Sequence, residues 1–211
     1  MQNLVIASQK GGVGKTTLAG HLAVAAEAAG AGPVVLLDTD PQGSLAAWWN
    51  ARQAESPAFA QADLENLPQQ LAELAAAGVR LAIIDTPPAV TSTIICQVLA
   101  VADLVLIPTR PSPHDLRAVG ATVDLVEQAG KRLVFALNGA AHRARLIAQA
   151  AIALSQHGAV APAVLHQRTD FASSMIDGRT VQEIDAESRS AAEVAGLWQY
   201  VSTQLHKHAT A

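Results

Sequence analysis

The stretch Leu4-Val5-Ile6-Ala7-Ser8-Gln9-Lys10-Gly11-Gly12-Val13-Gly14-Lys15-Thr16-Thr17 decides the fold. It begins with an apolar run of strand length and ends where an alanine-rich helical pattern starts, with the glycines between the two. Glycine lets backbone N–H groups converge on phosphate oxygens, and the N-terminus of the following helix adds positive potential. The pattern therefore predicts a phosphate-binding loop over Lys10–Thr17.

Two side chains at the end of this loop have chemistry suited to a nucleoside triphosphate. Lys15 is placed to reach the β- and γ-phosphates, and the Thr16 hydroxyl is placed to coordinate Mg²⁺. We therefore predict that the chain binds ATP with Mg²⁺. The predicted nucleotide-binding residues of the loop are Lys10, Gly11, Gly12, Val13, Gly14, Lys15, Thr16 and Thr17.

Carboxylates follow two further apolar strands of the predicted sheet. Asp38 and Asp40 come directly after the apolar run 34–37, and Asp85 follows the run 81–84. Of the first two carboxylates, one can face the metal and the other the phosphate or its attacking water. An apolar strand that ends in an aspartate near the phosphate loop is typical of a Walker B motif. Asp85 is therefore expected to bind Mg²⁺ through water.

Apolar runs of strand length alternate with longer helical patterns along the whole chain, which predicts an α/β fold. We expect a single domain with a mostly parallel twisted sheet flanked by helices on both faces, and ligands at the carboxyl ends of the strands. Beyond the motifs, strands are expected at 103–108, 132–138 and 159–166. Helices are expected at 15–29, from a cap at Asp63 to Ala77, from Ser112, at 143–157 and at 189–207. Residues 52–62 are expected to be the most irregular stretch.

Composition and charge exclude several classes of protein. Half of the 211 residues are hydrophobic and 15% are charged, which argues against disorder, and no apolar run is long enough for a membrane span. The single cysteine, Cys96, excludes an intrachain disulfide and is expected in the core. We expect a cytoplasmic protein without a signal peptide. The net charge of −4 argues against a constitutively basic nucleic-acid binder, although the chain after residue 129 carries an excess of basic side chains.

The loop departs from the general motif in one respect. The position that usually holds its first glycine is Gln9, and a second lysine, Lys10, follows. This deviant Walker A loop resembles that of the ParA/MinD family of ATPases. The resemblance implies that Lys10 reaches across a dimer to the partner's ATP, while the alternative is a solvated lysine beside an anion site. It also implies that Asp40 positions the hydrolytic water and that Asp38 supports Mg²⁺.

By the same resemblance, Asn138 reads the adenine edge, although it is also a plausible turn residue before Gly139. The segment 167–170 is expected near the base or the dimer interface. The predicted catalytic residues are thus Lys10, Lys15 and Asp40, and the predicted metal-binding residues are Thr16, Asp38 and Asp85.

The resemblance covers nearly the whole chain and is strongest to the short, ParF-like ParA proteins of plasmid partition. These lack the N-terminal helix-turn-helix of long ParA proteins, so residues 1–211 are expected to form one ParA-like ATPase domain. The resemblance implies an ATP-bound homodimer that binds DNA without sequence preference on the nucleoid. It implies slow hydrolysis, stimulated by a ParB-like or other cargo adaptor, and a cargo such as a plasmid, a chromosome origin or a protein cluster.

The basic side chains that are candidates for DNA contact lie mostly in the C-terminal part: Arg143, Arg145, Arg168, Arg179, Arg189 and Lys207. The main alternative function is that of a MinD-like membrane-associated ATPase, but the tail 205–211 has one lysine and two histidines and suits anionic lipid poorly. An iron–sulfur ATPase is excluded because a cluster that bridges a dimer needs two cysteines per subunit. A P-loop ligase or kinase and a nucleotide-gated scaffold remain as further alternatives.

Overall fold

The computed structural model describes residues 1–88, 92–141 and 144–207. Its centre is one seven-stranded sheet in the order β3-β2-β4-β1-β5-β6-β7, in which every neighbouring pair is parallel. The strands are β1 Gln2–Ile6, β2 Val34–Asp38, β3 Ala58–Gln61, β4 Leu81–Asp85, β5 Leu104–Thr109, β6 Leu133–Ala140 and β7 Ala159–His166.

Helices cover both faces of this sheet, which confirms the predicted fold class. One core lies between the sheet and helices α1, α2, α8 and α9, and the other lies between the sheet and helices α3 to α6. A short 3-10 turn at Met175–Asp177 separates α7 from α8. The helices are α1 Lys15–Ala28, α2 Ser44–Asn50, α3 Leu67–Ala76, α4 Ser92–Ala100, α5 Pro113–Gln128, α6 Ala144–Leu154, α7 Thr169–Ser174, α8 Val181–Ile184 and α9 Arg189–His206.

The central strands are continuous apolar runs because both of their faces are buried. Every residue of β2, β4 and β5 is buried. The parallel register pairs Asp85 with Ile6 on one side and with Asp38 on the other. The ends of β1, β2 and β4 therefore lie at one level, and their following loops meet at the same edge of the sheet.

Several predicted elements are confirmed. The Ser112 hydroxyl accepts a hydrogen bond from the Asp115 backbone N–H at 3.2 Å, as expected of a cap at the start of α5. The helix expected at 189–207 is α9, and its apolar face is buried against the sheet: Val194, Leu197, Trp198, Val201 and Leu205. Within the described ranges, no helix is both long and apolar enough to cross a membrane.

Four local expectations are wrong. The stretch 52–62 contains β3, a short edge strand paired with β2. Asp63 does not cap α3; its carboxylate accepts from the backbone of Glu65 and Asn66 in the turn before that helix. Helix α6 ends at Leu154, three residues early. Cys96 is exposed on α4. The last error arises because consecutive residues of a helix point in different directions, so Ile95 is buried while Cys96 beside it faces solvent.

Candidate functional site

The phosphate loop connects β1 to α1 at the carboxyl edge of the sheet. Gly12 and Gly14 have φ angles of 73° and 92°, in the left-handed region that favours glycine. A Cβ on Gly14 would lie 2.4 Å from the Asn138 amide nitrogen, so a larger residue has no room there. The loop is thus shaped by backbone conformations and close approaches that its glycines permit.

Lys15 is the first residue of α1 and its side chain is largely buried in the loop. Burial lowers the pKa of Lys15, and the negative charges of Asp85 and Asp40 oppose that shift. A buried ammonium group costs free energy unless an anion accompanies it. The buried ammonium group of Lys15 therefore favours the binding of an anion beside it.

Thr16 and Asp85 are brought together by the fold. The Thr16 hydroxyl donates a hydrogen bond of 2.6 Å to Asp85 Oδ2. Asp85 is buried, and its other carboxylate oxygen, Oδ1, has no hydrogen-bond partner among the described residues. Desolvation raises the pKa of Asp85 to about 7. A buried carboxylate with a free oxygen beside a hydroxyl is a donor set that fits Mg²⁺, which prefers oxygen ligands.

Asp38 and Asp40 have different surroundings because β2 ends at Asp38 and the chain turns before α2 begins at Ser44. On a continued strand the two side chains would share one face. Asp38 is fully buried, and its two oxygens accept from the backbone N–H groups of Asp40 at 2.9 Å and Ala46 at 3.1 Å. Asp40 is partly exposed, accepts from the Gln42 backbone at 2.9 Å and lines the cleft above the loop. Asp38 therefore holds the turn between β2 and α2, and Asp40 faces the space where a ligand would bind.

A cleft of about 880 Å³ opens above the phosphate loop. This volume lies in the range of small-molecule sites, which is roughly 300–1,000 Å³. One wall is polar and is formed by the loop with Asp40 and Gln42. The apolar lining comes from α2 and the residue after it, and from α7 and the 3-10 turn that follows, with these side chains: Ala47, Trp48, Ala51, Ala172, Met175 and Ile176.

A smaller cavity of about 180 Å³ adjoins the loop on its other side. Its lining includes Asn138, Phe171 and the segment 165–168, so the structure brings Asn138 and part of the expected 167–170 segment together. The Asn138 amide donates a hydrogen bond of 2.6 Å to the Val13 carbonyl oxygen. Its role toward adenine stays a prediction, but its contact with the phosphate loop goes beyond that of a turn residue.

Lys10 is exposed, and its backbone N–H donates to the Ser8 hydroxyl at 3.3 Å. It is thus the outer of the two lysines, while Lys15 is the inner one. The predicted contact of Lys10 with a partner subunit stays a prediction.

Sequence reasoning missed two residues of the site. Arg110 follows β5 and lines both cavities, where its side chain packs over Gly139. A polar residue directly after a buried strand was the available signal. The other residue is His21 on α1, which is fully buried. Its Nδ1 lies 2.8 Å from the Thr17 carbonyl oxygen, and its Nε2 accepts from the Val181 backbone N–H at 3.2 Å.

The structure reduces the set of candidate DNA-binding arginines. Arg168 forms an ion pair with Glu193, with two nitrogen–oxygen distances of 2.6 and 2.7 Å. Arg179 pairs with Asp177 at 2.6 Å. These ion pairs offset the positive charge of both arginines, which makes them weaker candidates for DNA contact. Arg145, Arg189 and Lys207 are exposed, and Arg143 lies outside the described residues.

Comparison with known proteins agrees with this geometry. The profile of the CobQ/CobB/MinD/ParA nucleotide binding domain matches residues 4–181, which is most of the chain. The chain belongs to this family. The resemblance of the deviant Walker A loop to ParA and MinD proteins is thereby confirmed, and the family's nucleotide-binding domain includes the phosphate loop and both carboxylate segments described above.

Relatives from two bacteria illustrate the breadth of the CobQ/CobB/MinD/ParA family. The chain is 30% identical to the "Maintenance of carboxysome distribution protein A" of Halothiobacillus neapolitanus over 198 residues, which cover 90% of this chain and 91% of that protein. It is 33% identical to a "Protein ParA" of Rhizobium radiobacter over 131 residues, 61% of this chain and 57% of that one.

Solved structures show the same fold at low identity. The Mg-ADP complex of MinD from Pyrococcus horikoshii superposes with a TM-score of 0.80 at 18% identity and covers all of this chain and 98% of its own. An ATP complex of McdA from Cyanothece superposes with a TM-score of 0.73 at 18% identity, covering 98% of this chain and 96% of its own.

Proposed function

We propose that this protein is an ATPase that dimerises on Mg·ATP, binds DNA without sequence preference and positions a cargo in the cell. The observation that carries this proposal is the phosphate loop with its two lysines, one buried and one exposed. Family membership and the relatives named for carboxysome distribution and for ParA support it. They favour a protein assembly or a plasmid as the cargo.

Binding of the triphosphate is the first step. The backbone N–H groups of the loop and the N-terminus of α1 would hold phosphate oxygens, and Lys15 would supply a full positive charge beside them. Because Lys15 is buried, the negative charge of the triphosphate would offset the cost of desolvating its ammonium group. The cavity beside Asn138 is proposed to hold the base, with the cleft on the other side open to the γ-phosphate.

The Mg²⁺ ion that accompanies ATP would be held by the Thr16 hydroxyl and, through water, by Asp85. When bound, Mg²⁺ supplies charge neutralisation of the β- and γ-phosphate oxygens. The free Oδ1 of Asp85 supports this assignment, and Asp38 contributes indirectly because it fixes the turn between β2 and α2.

Hydrolysis would use Asp40, whose carboxylate lines the cleft and is free to orient a water toward the γ-phosphate. The water oxygen forms a bond to phosphorus while the bond to the ADP oxygen breaks. Most groups that would contact the phosphates are backbone N–H groups of the loop, which suit tight binding of the triphosphate, and we expect a slow basal rate. A stimulating adaptor protein, ParB-like or otherwise, would accelerate this step.

Dimerisation and DNA binding are the next level of the proposal. Lys10 is exposed at the mouth of the loop, where it would reach the ATP of the partner. A dimer doubles the exposed basic groups Arg145, Arg189 and Lys207, and phosphate contacts of this kind bind DNA without reading its sequence. The proposed location is accordingly the cytoplasm, on the nucleoid and not at a membrane.

One experiment tests this level directly. With Mg²⁺ and a slowly hydrolysed ATP analogue, the wild type is expected to sediment as a dimer and to retard random-sequence DNA. With ADP it is expected to do neither. Lys10→Ala is expected to bind the analogue but to remain monomeric and to leave DNA unshifted. A wild type that stays monomeric with the analogue would contradict the proposal, and binding to anionic vesicles in place of DNA would favour the MinD-like alternative.

A further inference from the structure

A short segment near the C-terminus contacts both helices that leave the nucleotide site. This segment, residues 174–183, is called the bridging segment. The Val181 backbone N–H donates to His21 of α1, and the Arg179 carbonyl oxygen accepts a hydrogen bond of 3.2 Å from the Trp48 indole of α2. It is thus attached to the helix of the phosphate loop and to the helix that follows Asp40.

Arg52, just after α2, makes the strongest attachment. Its side chain is 2% exposed and pairs with both oxygens of Glu183, at 3.1 and 2.7 Å. The same guanidinium donates to the Gly178 carbonyl oxygen at 2.5 Å and to the Ser56 carbonyl oxygen at 2.8 Å, and it lies over the Trp48 ring. The Arg52 side chain is buried while Glu183 is 27% exposed, and the two-pronged contact fixes the geometry of the pair more closely than a single surface contact would.

Glu183 is itself held in place. Its carboxylate accepts from the Thr180 backbone N–H at 2.8 Å and from the Thr180 hydroxyl at 3.0 Å, which caps α8. Burial alone would raise the pKa of Glu183, but hydrogen bonds from Arg52 and Thr180 and the charge of Arg52 bring it below its usual value. The carboxylate is therefore ionised, and the contact with Arg52 is a charged clamp.

The position of α2 is transmitted to Asp40 through Asp38. The Asp38 carboxylate accepts from Ala46, in the first turn of α2, and from the Asp40 backbone N–H. Both of these hydrogen bonds are accepted by the one fully buried carboxylate of Asp38. A displacement of α2 would therefore shift the backbone at Asp40. The clamp between Arg52 and Glu183 lies at the C-terminal end of α2 and therefore affects the position of the Asp40 carboxylate, which lines the cleft.

We propose that Arg52 is a positioning residue for ATP hydrolysis: its clamp on Glu183 and Gly178 fixes α2 and, through Asp38, aligns Asp40 over the phosphate loop. The inference rests on the proposed ATPase function. Displacement of a reacting group by about 1 Å can reduce a rate by roughly 100-fold, whereas the phosphate loop that would hold the nucleotide is built between β1 and α1. Loss of the clamp should therefore lower kcat much more than ATP affinity.

The chain offers a matched control on the same segment. Arg179 also pairs with a carboxylate, Asp177, but its side chain is 54% exposed and the pair does not reach α2. The side chain of Arg179 can be replaced while its backbone carbonyl still accepts from Trp48. Arg179→Gln thus removes an equal charge from the bridging segment and leaves the hydrogen bonds between Arg52 and Glu183 in place.

The experiment compares full-length wild type with Arg52→Gln, Arg52→Lys, Glu183→Gln and Arg179→Gln. Single-turnover ATP hydrolysis and the Kd for Mg·ATP are measured for each, with circular dichroism to verify folding. We expect Arg52→Gln and Glu183→Gln to reduce hydrolysis at least about 10-fold with Kd within about 3-fold of wild type. Arg52→Lys, which keeps the charge, should recover part of the rate, and Arg179→Gln should equal wild type.

The outcomes separate the inference from the proposed function. If wild type hydrolyses ATP and both Arg52→Gln and Glu183→Gln do so at the same rate, the inference is wrong and the ATPase proposal stands. If both variants lose ATP affinity in proportion to hydrolysis, the clamp is only structural and the inference is also wrong. If Arg52→Gln does not fold, Glu183→Gln decides the question, because glutamine has the shape of glutamate without its charge. A wild type that neither binds nor hydrolyses ATP contradicts the proposed function itself.

Discussion

At the scale of the residue, Asp40 and Asp38 show how two identical side chains acquire different roles. Asp38 has both oxygens occupied by backbone N–H groups in the core, whereas Asp40 faces the cleft. The difference arises because β2 ends at Asp38 and the chain turns toward α2, and sequence reasoning could predict two roles for the pair but not this cause. It could not decide which of the two faces the ligand, because that depends on where the neighbouring helix α2 packs.

Asp40→Ala is expected to reduce ATP hydrolysis by about 100-fold and to leave the Kd for Mg·ATP within a few-fold, because Asp40 would act on the attacking water and not on the phosphates. Single-turnover hydrolysis and equilibrium binding measure the two quantities. Asp124→Ala, at an exposed carboxylate on α5, is the control. Hydrolysis by Asp40→Ala at the wild-type rate would remove Asp40 from the mechanism.

His21 is a second residue whose role is set by burial. Desolvation lowers its pKa from 6.5 to about 4, against the opposing effects of the Thr17 carbonyl and the charges of Glu183 and Asp170. Because Val181 donates to Nε2, the proton of the neutral ring lies on Nδ1 and is donated to Thr17. The sequence gives no sign of this role, since a lone histidine in an alanine-rich helix has no pattern around it.

Stability should fall in acid because of His21. Its folded pKa is lower than its unfolded pKa, so the unfolded chain takes up the proton first as the pH falls from about 6.5 toward 4. The contribution of neutral His21 to the free energy of unfolding is complete above pH 6.5 and should decrease by roughly 2 kcal/mol by pH 5. Urea unfolding of wild type and His21→Gln between pH 5 and 8 measures this contribution. The difference between their free energies of unfolding should shrink as the pH falls. A difference independent of pH would contradict the assignment.

At the scale of the element, the strands and long helices could be predicted because their periodicities are strong. The failures are short elements. The edge strand β3 has a mixed burial pattern, and α2 and α8 contain seven and four residues, too few for a periodic signal. These short elements depend on tertiary contacts. The contact of the bridging segment with Arg52 is one of them, and no local sequence pattern predicts it.

The closest backbone approach in the bridging segment is at Gly178. It has a φ of 77°, and a Cβ there would lie 2.3 Å from the Arg52 backbone nitrogen. Gly178→Ala should therefore lower the free energy of unfolding by about 3 kcal/mol, from both the left-handed conformation and the overlap. Gly30→Ala is the matched control, since Gly30 has a φ of 73° with nothing within 4 Å. Urea unfolding compares them, and equal losses would contradict the proposed close packing.

At the scale of the whole molecule, the parallel sheet and the location of the site at its carboxyl edge could be predicted from sequence. The register that pairs Asp38 and Asp85 explains why residues 47 positions apart act in one site. The distribution of charge could not be predicted, because it depends on which arginines form ion pairs across elements. Arg168 with Glu193 and Arg52 with Glu183 are two such pairs.

The central claim is that the loop 10–17 holds a triphosphate through its backbone and Lys15. Isothermal titration calorimetry with ATP and Mg²⁺ tests it most directly, with Lys15→Ala as the variant and Lys207→Ala as a remote control. Wild type and Lys207→Ala should bind equally, and Lys15→Ala should bind about 100-fold more weakly or not at all. A wild type without affinity for ATP, or an Lys15→Ala variant with wild-type affinity, would contradict the account.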